Sequence, residues 1–306
     1  MPPRRRSAPE RDLSPRQVAE AIGVSESSVK RWCDDGAIPT RKTAGGHRRI
    51  PIADVVVFLR AQGFDPARPD LLGLPAGAHR DATRALRDVA DRLGTALRAG
   101  AAADARALLT GLYLAGQPLT RIGDEVIGPV MAGLGHAWSI GQLEVYQEHH
   151  AVEIVRAALF DLGGLIAVPA AGPVALLASL EGDPYSLAIG LGELILRERG
   201  WRAIGLGAGH PAATLVAAVT ERQPRLLALS VGHVPDRARL IADVAALHAA
   251  TRAAGAALAL GGRAIDDDLR ATLRCSAHCA SLAALADFAD SLPVKAAAAK
   301  KRARPR

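Results

Sequence analysis

The side chains near the amino terminus best suited to chemistry are cationic or hydroxylic: Ser27, Ser28, Lys30 and Arg31, then Arg41, Lys42, His47, Arg48 and Arg49. Donors of this kind satisfy phosphate oxygens and the base edges of nucleic acid. The three cysteines, Cys33, Cys275 and Cys279, give no disulfide framework and fit a reducing compartment. Cys275, His278 and Cys279 suggest a metal or redox site, but the spacing lacks a second ligand cluster, so the thiols read as buried or incidental. No Ser/His/Asp arrangement, phosphate loop or zinc-protease motif is present. No catalytic residue and no protein metal ligand is assigned.

The elements that must position the donors follow from local signals. Ser14 can cap a helix, Pro15 suits its first position, and Gln17 can reach back to the cap, which predicts a helix over 15–22. Val18, Ala19 and Ile22 fall on one face of it. Gly23 supplies a tight turn, and Ser25 can cap a second helix that runs to about Cys33, with Val29 and Trp32 turned inward. The first turns of that second helix would enter a major groove, placing Ser27, Ser28, Lys30 and Arg31 at base edges or flanking phosphates. Gly45 and Gly46 allow a sharp turn between basic neighbours, which reads as a wing.

This segment resembles the DNA-binding domains of the MerR superfamily, especially its short excisionase-like branch, in which a Gly-Gly-His-Arg wing follows the recognition helix. The resemblance implies double-stranded DNA as partner and specifies no operator. Charge agrees with it. Residues 1–60 carry 12 basic against 7 acidic side chains and residues 291–306 carry 6 against none, whereas the whole chain is only +7. The basic ends can meet phosphates, and the mildly acidic middle is unsuited to them.

With 306 residues, 49% of them hydrophobic, the chain can bury two or three cores. No apolar run reaches membrane-spanning length and no hydrophobic segment follows the first arginines, so a cytoplasmic location is expected. The expected organisation is a basic disordered arm (1–12), a winged helix-turn-helix (13–60), a Pro/Gly-rich linker (61–79), a helical bundle (80–168), an α/β domain (172–293) and a basic disordered tail (294–306). Helical patterns over 81–99, 103–115, 119–140 and 143–165 suggest four helices. From residue 173 short apolar runs, VALLASL, WRAIGLG, LLALSVG, ALALGG and a weaker CSAHCAS, alternate with stretches of helix length. That alternation predicts a parallel, doubly wound sheet of the Rossmann-like, flavodoxin-like kind. Ligands of such sheets bind beyond the carboxyl ends of the strands, here the loops 181–185, 207–210, 230–233 and 261–263.

A bundle followed by this sheet, behind a MerR-like reader, resembles the cobalamin-binding regulators of the CarH and LitR type. Trp138, followed after nine residues by Glu148 and His149, matches their W-x9-E-H signature. The resemblance implies that the Trp ring and the Glu-His pair cover the upper face of a corrinoid, an adenosylcobalamin-like cofactor. Ser230, Gly261 and Gly262 match the family's lower-face residues, and Asp183 opens its D/E-x-H-x-x-G loop. The loop then departs from the pattern: Tyr185 stands where the family has the cobalt-ligating histidine, and Ala188 stands at the glycine. A phenol, protonated at neutral pH, is a far poorer cobalt donor than an imidazole. Ser139 also replaces the histidine that follows the Trp in light-sensing members, leaving His136, His149 and His150 as the nearby imidazoles.

Three readings of the sensor follow. Cobalamin binds with its own benzimidazole kept on the metal; or another ligand, such as a different tetrapyrrole, binds; or the domain is a ligand-free oligomerisation or partner-binding module. The expected function is a non-enzymatic, homo-oligomeric transcription regulator, since one reader of this size makes few base contacts. A corrinoid carrier or methyltransferase component is the rival reading from another class.

Overall fold

The computed structural model describes residues 12–75 and 86–293; the expected arm (apart from residue 12), the tail, the end of the linker and the start of the first bundle helix lie outside them. Ser14 caps helix α1 (Pro15–Ile22): its Oγ accepts from the Gln17 amide at 3.3 Å, and Gln17 Oε1 accepts from the Ser14 amide at 2.9 Å. Gly23 ends the helix at φ +81°, a conformation that strains any side chain. Ser25 Oγ then accepts from the Ser28 amide at 3.1 Å and starts α2 (Glu26–Asp34). Strands β1 (Asp12–Leu13), β2 (Arg41–Lys42) and β3 (Arg48–Pro51) form a small antiparallel sheet in the order β1-β3-β2, with the β2–β3 hairpin as the wing. Helix α3 (Ile52–Gln62) follows. Val18, Ile22, Val29, Val55 and Leu59 are buried, and the Trp32 ring packs 4.8 Å from Phe58 and 5.9 Å from Phe64.

The stretch expected as a linker is partly built into this unit. Residues Pro69–Leu72 form a 3-10 turn, the Arg68 amide donates to the Ala21 carbonyl at 3.0 Å, and Leu72 and Leu74 are buried. The prolines and glycines here shape a turn whose leucines still have apolar surface to remove from water.

The bundle comprises α4 (Leu86–Arg98), α5 (Ala102–Leu114), a helix running through α6 (Leu119–Arg121), a π turn (Ile122–Ile127) and α7 (Gly128–Ser139), and α8 (Val145–Gly163). Pro129 accounts for the π turn. It has no N–H to give and its ring would strike the carbonyl one turn back, so the backbone widens just before it.

The second sheet is parallel, with β4 (Val174–Leu180), β5 (Arg202–His210), β6 (Leu226–Ser230), β7 (Ala257–Gly261) and β8 (Ala277–Cys279) in the order β5-β4-β6-β7-β8. Along β4, Leu176 and Ala178 pack under α10 (Ala212–Arg222), α11 (Arg237–Ala253) and α12 (Asp267–Thr272), while Ala175 and Leu177 pack under α9 (Leu187–Glu198) and α13 (Leu282–Ser291). Burial on both faces explains why the strands read as continuous apolar runs. The strand order reverses between β4 and β6, so the crevice lies there.

Leu191, Leu194 and Ile195 of α9 and Ala286 of α13 share a core with the bundle. Asp124, in the π turn, accepts from the Leu282 and Ala283 amides at 2.9 and 3.0 Å, so a bundle carboxylate serves the first turn of α13. The reader shares that apolar core with the bundle, and a polar junction ties it to both the bundle and α9. The Arg60 guanidinium, from α3, lies 3.9 Å above the Tyr113 ring of α5 and donates to Glu198 Oε1 of α9 at 2.8 Å. Burial raises the Tyr113 phenol above its ordinary range, and the Glu198 charge adds to this.

Candidate nucleic-acid interface and ligand cleft

On α2, Ser25 Oγ lies 2.8 Å from the hydroxyls of both Ser27 and Ser28, knitting the amino end of the helix. Lys30 pairs with Glu26 one turn earlier at 2.8 Å, and Arg31 is exposed. In the wing the Thr43 amide donates to the His47 carbonyl at 2.9 Å and Gly46 turns the chain at φ +78°, leaving Arg41, Lys42 and His47 on the surface. Arg48 and Arg49 behave differently from their neighbours. The Arg48 guanidinium is folded back onto Asp34 at the end of α2, and Arg49 Nη1 donates to the Arg48 carbonyl at 3.1 Å. Asp34 was not among the residues expected at the interface. Its pairing fixes the wing against the recognition helix and engages a cation that sequence alone offers to phosphate.

The crevice between β4 and β6 is built around Asp183, which is 3% exposed. A buried carboxylate must be hydrogen-bonded, and both of its oxygens are. Oδ1 accepts from the Tyr185 amide at 3.0 Å and Oδ2 from the Gly232 amide at 2.6 Å, which ties the loop after β4 to the loop after β6. Ser179 Oγ donates to the Asp183 carbonyl at 2.8 Å and accepts from the Gly209 amide at 3.1 Å, which adds the end of β5. Asp183 therefore organises backbone, and the Tyr185 ring is set down on Gly232: a Cβ there would lie 2.9 Å from Tyr185 Cδ2.

Ser230 ends β6 half-buried, facing Gly261 across the sheet register. At Gly261 and Gly262, which follow at the end of β7, backbone lies where a side chain would go: a Cβ at Gly262 would lie 2.3 Å from the Val231 carbonyl oxygen, and one at Gly261 would lie 2.7 Å from that of Cys279. Gly262 also sits at φ +121°.

Opposite this edge stands the bundle. Trp138, near the end of α7, is 47% exposed. Early in α8, Glu148 is largely covered while His149 is open, Glu148 Oε2 and His149 Nε2 lying 3.7 Å apart. Arg263, not among the expected site residues although its loop was, links the two sides. Its guanidinium lies 4.9 Å over the Tyr185 ring, and Nη1 comes within 3.9 Å of the Cβ position of Gly135, one helical turn before Trp138. His150 is directed elsewhere, its Nε2 3.5 Å from the Cβ position of Gly100 in the α4–α5 turn. Among the described residues no group of three or more His, Cys, Asp or Glu side chains is arranged to hold a metal ion.

Residues 13–63 match the family model for a helix-turn-helix domain, and residues 89–160 match that for a B12 binding domain. Over 230 residues the chain is 30% identical to the HTH-type transcriptional repressor CarH of Myxococcus xanthus, spanning 70% of this chain and 76% of that protein. The chain belongs to the CarH family. The HTH-type transcriptional repressor CarA of Myxococcus xanthus is 36% identical over 89 residues, 29% of this chain and 31% of CarA. Among solved structures, the monomethylamine corrinoid protein of Methanosarcina barkeri has the same fold over 67% of this chain and 98% of its own, with a TM-score of 0.57 at 17% identity. This CarH-family chain is a helix-turn-helix DNA-binding regulator with a cobalamin-binding-type sensor domain. Among the described residues no helix is long and apolar enough to cross a membrane.

Proposed function

We propose that this CarH-family member is a repressor that acts as a homo-oligomer on double-stranded DNA, and that a corrinoid held between bundle and sheet sets how many readers act together. No catalytic role is assigned to any residue. The observation that carries the reading is the approach of the two sides: Arg263, after β7, lies over Tyr185 of the loop after β4 and reaches Gly135 of the helix bearing Trp138, in a chain that also carries a winged reader.

The residues fit the organic part of a corrinoid and not its cobalt. Trp138 offers a half-open aromatic face to a flat ring, Glu148 and His149 offer polar groups beside it, and Ser230, Gly261 and Gly262 line the strand ends where a side chain from the ligand would run. Tyr185 presents a phenol where the family resemblance places an imidazole, and no cluster of metal-ligating residues replaces it among the described residues. A bound cobalamin would then keep its own benzimidazole on the metal, while Trp138, Glu148, His149, Ser230, Gly261 and Gly262 would hold its ring and side chains. When bound, the cofactor supplies a visible chromophore and, in its adenosyl form, a cobalt–carbon bond that light can cleave.

In the reader, Ser27, Ser28, Lys30 and Arg31 would face bases and flanking phosphates, with Arg41, Lys42, His47 and Arg49 along the backbone and Arg48 bracing the wing. The test is to incubate the purified protein with adenosylcobalamin in the dark, remove free cofactor, and record absorbance, assembly and duplex-DNA binding before and after illumination. Retained corrinoid with a base-on spectrum is expected. Loss of all corrinoid on desalting would overturn the sensor reading, and failure to bind duplex DNA at low ionic strength would overturn the reader.

A further inference from the structure

We infer that Arg263 is the anion-recognition residue of the cleft and that it reads the phosphodiester of the corrinoid's nucleotide loop; this rests on the corrinoid reading above. Arg263 is exposed, its guanidinium 4.9 Å over the Tyr185 ring and its Nη1 3.9 Å from the Cβ position of Gly135 on α7. Among the described residues no carboxylate pairs with it. The acids of the surrounding loops are already engaged: Asp183 by the amides of Tyr185 and Gly232, Glu181 by Arg239, and Asp266 by Arg237. A cation left without a carboxylate at the mouth of a crevice, while Asp183, Glu181 and Asp266 have partners of their own, is a ready donor to an anion brought by the ligand.

The support beneath Arg263 is rigid. Tyr185 cannot sink further because Gly232 backs its ring, and the Asp183 bridge holds both loops. Tyr185 thus serves as an aromatic platform beneath the guanidinium. The backbone of β7 brings Arg263 there directly after Gly261 and Gly262, whose bare Cα atoms let the strand end press against Val231 and Cys279. The phosphodiester is the single anionic group of cobalamin, so a guanidinium in this place distinguishes corrinoids with the nucleotide loop from those without it. The carboxylates of another tetrapyrrole share the chemistry of an anion beside a flat ring, and the experiment separates the two sources.

Equilibrium dialysis of the full chain with hydroxocobalamin, with cobinamide, which has the same ring without the nucleotide loop, and with haem provides the test, on the parent and on Arg263→Ala and Arg263→Lys. The parent should bind cobalamin about ten- to a hundredfold more tightly than cobinamide, as one charge-assisted contact gives. Arg263→Ala should erase that preference and leave cobinamide affinity unchanged, and Arg263→Lys should recover part of it. Equal losses for cobalamin and cobinamide, or no loss for either, would overturn the inference while leaving corrinoid sensing intact. Haem retention that depends on Arg263, with cobalamin not retained, would assign the anion to a carboxylate and overturn the phosphodiester. Retention of no corrinoid by the parent would overturn the sensor reading and this inference together. Trp138→Ala separates ring from tail: it should weaken cobalamin and cobinamide alike, and a loss confined to cobalamin would overturn the division of roles.

Discussion

At Arg48 the wing departs from what its charges imply. The guanidinium neutralises Asp34, so it is not available to displace counterions from DNA in the way that exposed Lys42 is. Each phosphate neutralised contributes about 0.9 to the slope of log affinity against log salt. Lys42→Ala and Arg31→Ala should each lower that slope by about one. Arg48→Ala should weaken binding with the slope nearly unchanged. Fluorescence anisotropy of a labelled duplex over a salt series reads this, and a slope change for Arg48→Ala as large as that for Lys42→Ala would refute the bracing role. The cysteines make a second case at this scale. Burial pushes the thiols of Cys33, Cys275 and Cys279 above their ordinary range, so little thiolate is present at neutral pH. Alkylation by iodoacetamide at pH 7 should be slow in the folded protein and fast in denaturant, and rapid labelling of the folded protein would contradict it.

Among the elements, those built on local signals are the ones the chain announces. The serine caps, the turn glycine and the alternation of apolar runs with helix-length stretches place α1, α2 and the strands to within a few residues. Less legible are the π turn, which needs Pro129 to be seen as a helix interior, and the six-residue α12, too short to show a period. Asp266 makes α12 testable. The side-chain hydrogen bond from Arg237, and then the Leu269 amide, lower its carboxyl to about 2. In an unfolded chain an aspartate titrates near about 3.9, so its favourable contribution is complete above that pH and is lost as pH falls toward 2. Carbon NMR of the Asp266 carboxyl should show a midpoint near 2 that rises in Arg237→Ala; a parent midpoint near 4 would contradict the pairing. At the end of β7, Gly262→Ala must accommodate a positive φ and a Cβ pressed onto the Val231 carbonyl. A loss of at least about 2 kcal/mol in denaturant titration is expected.

Across the whole molecule a shared apolar core joins the reader to the bundle and the bundle to the sheet domain, and Arg60, Tyr113 and Glu198 form the polar contact that touches all three units. Glu198→Ala would leave the guanidinium over the Tyr113 ring without its carboxylate, both partners being mostly covered. A cost of about 1–3 kcal/mol is expected, seen as a lower Tm and faster proteolytic release of the reader. Val57→Ala, on the exposed face of α3, should change neither. If Glu198→Ala melts and is cleaved like the parent, the junction does not hold the reader.

The sequence by itself determined most of the elements, their order, the basic character of the reader and the residue types at the strand ends. Caps, turn glycines and apolar periodicity act between neighbours along the chain, so they can be read without a fold. Only the tertiary structure decided which charges are free and which are engaged. Gly232 lies 49 residues from the carboxylate of Asp183, Leu282 lies 158 from that of Asp124, and Glu198 lies 138 from Arg60. Pairings over such separations depend on the packing of whole domains, and no local pattern marks them in advance.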